Sequence, residues 1–186
     1  MSLPSEPNAN NPYAPPAEAA AAPVTGVNLP RDAEIREQFE RGKSGAAWFY
    51  WVAGLSLINT LCALTEANFG FALGLNITLI ADGLALGAVQ GGADSSAKIF
   101  ALGFDLVIYA LMVGCGWLSQ KRVLPVFALG MALYLLDALL FFLVADVVSI
   151  ILHVFALWCM WAGFTAFRQL NALEQRMHMA GATGGL

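Results

Sequence analysis

The chain has 186 residues, 59% hydrophobic and 12% charged, with a net charge of −4 and a mean hydropathy of +0.67. A soluble domain carries about a quarter charged residues, so this composition excludes an ordinary soluble fold. The small, scattered net charge gives no surface for nucleic acid, and Cys62, Cys115 and Cys159, all inside apolar stretches, read as small buried hydrophobes and not as a disulfide framework or metal cluster.

Residues 1–30 hold seven of the eight prolines, with Ala, Asn and Ser between them. Such a composition buries no core and predicts a disordered or polyproline-like tail. The start, MSLPSEPNANN, has neither a basic n-region nor an apolar h-region, so no cleavable signal peptide is visible and insertion is expected to rely on the first membrane helix. The stretch NPYAPP, Asn11 to Pro16, resembles the N-terminal tail of small bacterial multi-pass membrane proteins of unknown activity. That resemblance implies a bacterial inner-membrane location. The tail itself reads either as a solvated segment or as a docking peptide for the aromatic groove of a protein partner.

RDAEIREQFERGK, Arg31 to Lys43, has four acids and four bases at helical spacing. Pro30 suits a helix's first turn, Glu37 and Arg41 stand four apart, and Ile35 and Phe39 share a face. The pattern predicts an amphipathic juxtamembrane helix over 31–45, broken at Gly42 and Gly45.

Five apolar segments follow, at about 46–65, 71–90, 98–118, 124–144 and 147–167. Each approaches the roughly 20 residues that cross a bilayer as a helix. Only nine charges fall between Ala46 and Phe167: Glu66, Asp82, Asp94, Lys98, Asp105, Lys121, Arg122, Asp137 and Asp146. The cluster WFYW, Trp48 to Trp51, is of the kind found at headgroup depth. Asp146, one of two charges between Leu124 and Phe167, marks the turn of a tight hairpin. Residues 46–168 are thus the transmembrane domain, and 169–186 a short tail expected to fray.

Lys and Arg prefer cytoplasmic loops. Bases precede the first segment, Lys121 and Arg122 follow the third, and Arg168 and Arg176 follow the fifth. All three clusters want one side, which needs an even number of crossings between Lys43 and Lys121, where three segments lie. The second segment, carrying Asn76, Thr78, Asp82 and several glycines, is the weakest span. The fold predicted is therefore an all-α polytopic membrane bundle with four spans and one re-entrant or interfacial segment, both termini cytoplasmic. Five full spans is the alternative.

Charged groups inside a membrane helix cost about 2.5–3.5 kcal/mol on insertion scales and are functional candidates by default. Folding segments three and four about residue 121 sets Asp105 opposite Asp137, and Tyr109 beside Tyr134. Folding four and five about Asp146 brings His153 within a turn of Asp137. Folding two and three about Asp94 puts Asp82 beside Asp105. Asp82, Asp105, Tyr109, Tyr134, Asp137 and His153 are then one candidate ion or proton layer. Two such aspartates cannot both ionise at close range in a low dielectric, so they share a proton, bind a cation or pair with protonated His153. The same residues also suit structural glue between helices. Asp146, Ser149 and His153 share a face at i, i+3 and i+7, but a helix separates residues seven apart by about 10.5 Å, too far for a catalytic relay.

Gly83, Gly87 and Gly91, and Gly70 with Gly74, show the spacing that permits close helix approach. FALG occurs at Phe71, Phe100 and Phe127, with FALW at Phe155, a pitch near one membrane helix plus one turn. A hairpin duplication or coincidence of an apolar composition accounts for it, and it carries no polar side chain. No enzyme, cofactor or metal motif is present. Two readings remain: a small integral membrane protein that is structural or partner-binding, and a proton- or cation-linked transporter or channel subunit. For the second, a chain this small would homo-oligomerise to form a pathway.

Overall fold

The computed structural model describes residues 29–65, 73–144 and 146–183, and these are almost entirely helical. The helices are α1 (Leu29–Leu64), α2 (Asn76–Gln90), α3 (Ser96–Gln120), α4 (Leu124–Val144) and α5 (Val147–Thr183). The fold is all-α. The helices of α1, α3 and α5 are each long and apolar enough to cross a membrane. Helix α4, with 21 residues, also reaches the length of a span. The sides of these helices that face away from the bundle carry large apolar residues, among them Trp51, Leu84, Ile99, Phe100, Leu136, Ile151 and Trp158. A continuous apolar exterior of this kind suits lipid and not water.

Helix α1 is the central strut. Ala46, Phe49, Val52, Ala53, Ser56, Asn59 and Thr60 are all buried, and they recur every three or four residues along one stripe. Near its middle, α1 crosses α5 with backbones almost touching. A Cβ built on Gly45 would lie 2.5 Å from the Gly163 Cα, and one on Gly163 would lie 2.6 Å from the Gly45 Cα. Gly42 leaves room for the Phe167 ring in the same way, and Gly130 for that of Phe49. The expected break at Gly42 and Gly45 is therefore corrected: α1 runs unbroken through both. Glycine there serves close packing, and the packing gained outweighs its poor helix propensity of about 1 kcal/mol. The glycines at GxxxG spacing in α2 do not work this way, since nothing lies within 4 Å of a Cβ at Gly83 or Gly87.

The expected frayed tail is corrected too. Helix α5 continues past Phe167 to Thr183. Arg122, in the α3–α4 turn, holds this extension. Its φ of 66° lies in the left-handed region that favours glycine. Its guanidinium donates to both carboxylate oxygens of Glu174, at 2.9 and 2.6 Å, and to the Asn171 side-chain carbonyl. Across from it, Phe39 of α1 packs on Phe167 at 6.2 Å. One end of the bundle therefore gathers Arg36, Arg41 and Lys43, Lys121 and Arg122, and Arg168 and Arg176. The other end carries the α2–α3 turn with Asp94 and the start of α5 at Asp146.

Helix α2 differs from the rest. Its 15 residues rise about 22 Å, short of a bilayer's hydrocarbon core. It runs antiparallel to α3 after a turn at 91–95, and its first residues lie level with the middle of α3, where Leu75, Ile77, Ile108, Leu111 and Met112 line one groove. It is a half-helix that starts inside the bundle and emerges at the acidic end. The FALG copies share no common setting: Phe127 is 0% exposed and Phe100 is 78% exposed. The NPYAPP tail, Glu66 and the copy at Phe71 lie outside the described residues.

Candidate functional site

The core has two unlike halves. Towards the basic end it is apolar, with Phe49, Phe127, Met160, Phe167 and Leu170 buried. Edge-to-face ring pairs fill it, Phe49–Phe127 at 5.5 Å and Phe127–Phe164 at 5.8 Å. Towards the acidic end it also takes in buried polar residues: Ser56, Asn59, Thr60, Asn76, Thr78, Asp82, Asp105, Asp137, Ser149 and His153. Ser119 is the one buried polar side chain among the described residues on the basic side of this boundary.

Two hydrogen-bonded groups make up the polar half. The first centres on Thr60. Its Oγ1 lies 2.8 Å from each of three oxygens: Asp82 Oδ2, Asp105 Oδ2 and Tyr109 OH. Tyr109 OH also donates to the Ser56 carbonyl at 3.0 Å. Three helices thus meet at one threonine hydroxyl. A small cavity of about 10 Å³, lined by Ala63, Leu64, Asp82, Ala85, Leu86 and Lys98, borders it on the acidic side. It has room for at most one water.

The second group surrounds the start of α2. The first amides of a helix have no partner within it and carry partial positive charge. Here a carboxylate from another helix meets them. Asp137 of α4 accepts from Asn76 N–H and Ile77 N–H, both at 2.9 Å. The preceding amide, Leu75 N–H, donates to Ser56 Oγ at 2.7 Å. His153 Nε2 stands 3.8 Å from Asp137 Oδ2. The His153 ring stacks on Tyr134 at 4.9 Å, and its Nδ1 donates to the Ser149 carbonyl at 2.7 Å. Ser149 Oγ in turn donates to Asp146 at 2.6 Å. Asp146 is the N-terminal cap of α5, also accepting from Val148 N–H and Ser149 N–H.

Ser56 joins the two groups, bonding Tyr109 through its carbonyl and Leu75 through its hydroxyl. The six expected residues are thus all buried in one half of the core, but not in one layer of mutual contacts. Asp82, Asp105 and Tyr109 share Thr60, whereas Asp137, His153 and Tyr134 gather at the start of α2. Asp105 does not face Asp137, and Tyr109 does not face Tyr134, because the end of α2 inserts between α3 and α4 and takes the Asp137 carboxylate for itself. The residues the sequence reading passed over are Ser56 and Thr60 of α1 and the amides opening α2. The signal for the first two was present: they lie four apart on the stripe that carries Phe49 and Val52.

Comparison of the chain with protein-family models, with curated proteins and with solved structures returns no match. Among the described residues, no group of three or more His, Cys, Asp or Glu side chains is placed to hold a metal ion.

Proposed function

We propose that this chain is a small multi-pass protein of a bacterial inner membrane, with four crossings, a re-entrant α2 and a cytoplasmic N-terminus. Its role in this reading is structural or partner-binding, with no catalytic step. The orientation is supported by the bases of α1, the α3–α4 turn and α5 at one end, as cytoplasmic loops prefer. Lys121 lies 3.5 Å over the Trp117 ring there, an anchor suited to the membrane interface.

The observation that carries the reading is the divided core. A conduit needs polar groups or water along its whole length. Here the buried polar side chains, Ser119 apart, occupy one half, and the edge-to-face rings of Phe49, Phe127, Phe164 and Phe167 fill the other. The polar half meets the need of a bundle that must hold a broken helix in lipid: every freed amide requires a partner. Helix α5, extended beyond its apolar segment and held by Arg122, offers with α1 a cytoplasmic surface, and the tail before α1 supplies a docking peptide.

A second reading, a proton- or cation-linked subunit, is favoured by the Asp82–Asp105 pair on Thr60. Proteoliposomes with an internal pH dye separate the two. The structural reading expects acidification after an imposed pH gradient no faster than in empty vesicles. A faster flux, lost in Asp105→Asn while the helical circular dichroism stays intact, overturns it in favour of the second.

A further inference from the structure

We infer that Asp82 and Asp105 form a proton-binding site, holding one proton between them through the hydroxyl of Thr60. The inference rests on counting hydrogens and is independent of whether the protein conducts.

A threonine hydroxyl has one hydrogen and two acceptor sites. Around Thr60 Oγ1 stand three oxygens, each at 2.8 Å, two of them carboxylate oxygens. One ionised carboxylate can take the Thr60 hydrogen. The tyrosine hydroxyl brings its own hydrogen, directed to Thr60 or to the Ser56 carbonyl at 3.0 Å. The other carboxylate then faces Thr60 Oγ1 with no hydrogen between them. Two oxygens at that distance repel unless one donates, and a carboxylate donates only when protonated. With one proton on the pair, Thr60 donates to one aspartate and accepts from the other. Exchanging the two roles needs only rotation of the Thr60 hydrogen and transfer of the acid proton through its oxygen, so the proton belongs to the pair.

The surroundings match this count. Thr60 and Asp105 are 0% exposed, and the other carboxylate oxygen of Asp105, Oδ1, has no hydrogen-bond partner. A full negative charge on Asp105 would meet neither solvent nor a donor at Oδ1. Among the described residues, the ionisable or charged groups facing the pair are few. Helix α1 presents Thr60 and Ser56, neither of them ionisable. Helix α3 presents Tyr109 and, at the mouth of the small cavity beside Asp82, Lys98. Asp137 of α4 and His153 of α5 stand beyond the start of α2 in their own bonds. The cavity beside Asp82 gives the proton its way in and out, on the acidic side of the bundle.

Infrared difference spectroscopy of the full chain in detergent tests the site. A protonated carboxyl group shows a carbonyl stretch that shifts in heavy water; a carboxylate does not. Asp82→Asn and Asp105→Asn each supply a permanent N–H toward Thr60, so the remaining aspartate no longer needs the proton. The expected result is loss of one carboxylic-acid equivalent in either single variant, with no further loss in the double variant. Loss in only one single variant assigns a private proton to that residue and overturns the inference. Further loss in the double variant overturns it also, since each aspartate then carried its own. Should a variant not fold, the wild type decides: absence of any carboxylic-acid band at neutral pH overturns the site.

Discussion

Replacing Thr60 with valine keeps its shape and removes one oxygen, and that oxygen is the partner of Asp82, Asp105 and Tyr109 together. Tyr109 retains the Ser56 carbonyl, whereas Asp82 Oδ2 and Asp105 Oδ2 lose the hydroxyl they share. An orphaned buried polar group costs about 1–3 kcal/mol. Thr60→Val is therefore expected to lower stability in a detergent unfolding titration by about 2 kcal/mol or more, and Thr60→Ser by much less. A loss equal for both would place the effect in packing and not in the hydroxyl. Asp146 gives a second residue-scale case, with a pH sign. Its bond from the Ser149 hydroxyl, with the Ser149 and Val148 amides, holds its carboxyl below the usual range. A carboxyl lowered on folding contributes stability above its unfolded value, and the contribution is lost as pH falls through the folded one. The thermal midpoint of wild type should thus drop more on acidification through that window than that of Asp146→Asn, which caps without titrating. Parallel curves would refute the assignment. The site was half legible in the sequence for a related reason. Aspartate, histidine and tyrosine in an apolar run announce themselves by their cost. Serine and threonine in a membrane helix cost little, since they bond their own backbone, as Ser56 Oγ does with Val52. Their part in a network shows only once the facing helices are placed.

Among the elements, α2 depends most on a distant residue. Asp137 supplies both oxygens to its first amides, which no residue of α2 itself could do, as Leu75 precedes them without a capping side chain. Asp137→Leu leaves two amides unpaired inside the bundle and should loosen α2 from α3. In a Cys-free version, a thiol placed at the buried Ala85 should react faster with a small maleimide in Asp137→Leu than in the parent. Asp137→Asn, with one carbonyl left to accept, should fall between. Equal rates in all three would mean α2 is held by its side-chain packing alone. The α1–α5 crossing supplies the opposite kind of test. Gly45→Ala and Gly163→Ala push a methyl against backbone, which cannot swing away; such overpacking costs about 1–3 kcal/mol. Gly103→Ala and Gly114→Ala meet nothing within 4 Å and should be neutral or gain up to about 1 kcal/mol from helix propensity. The number of helices was readable from the apolar segments. The 15-residue length of α2 was not, since its apolar segment runs over 71–90 and only the sidedness of the bases and its polar residues marked it as the weakest span. Continuity through Gly42 and Gly45 was not readable either, because a glycine that breaks a helix and one that admits a neighbour look identical until the neighbour is known.

At the scale of the whole molecule, the divided core and the sidedness of the charges are two faces of one threading. From Lys43 to Lys121 the chain passes along α1, enters with the half-helix α2 and returns along α3. If α2 does not cross, α1 and α3 bring the bases of both ends to one side, and the turn at 91–95 and the start of α5 at Asp146 come to the other. The polar half of the core then faces the non-cytoplasmic side, where Asp94 and Asp146 cap α3 and α5 by accepting from Ser96 N–H and Val148 N–H. In the proposed orientation the aromatic half faces the cytoplasm. Single cysteines at Ala93, Lys121, Val147 and Arg176, exposed positions in turns or helix ends, test the sidedness of α3 to α5 in a Cys-free version. One at the exposed Glu37 of α1, protected in intact cells if α2 does not cross and labelled if it does, tests α2 itself. With an impermeant thiol reagent on intact cells, Ala93→Cys and Val147→Cys should label, and Lys121→Cys and Arg176→Cys should label only after the cells are opened. Labelling at Ala93→Cys and Arg176→Cys with Lys121→Cys and Val147→Cys protected would break the pattern. It would separate turns that the α3–α4 and α4–α5 hairpins hold at one end. Protection at Ala93→Cys and Val147→Cys with labelling at Lys121→Cys would keep the hairpins and invert the protein. The proton site would then open to the cytoplasm, and the helical extensions of α1 and α5 would face away from any cytoplasmic partner.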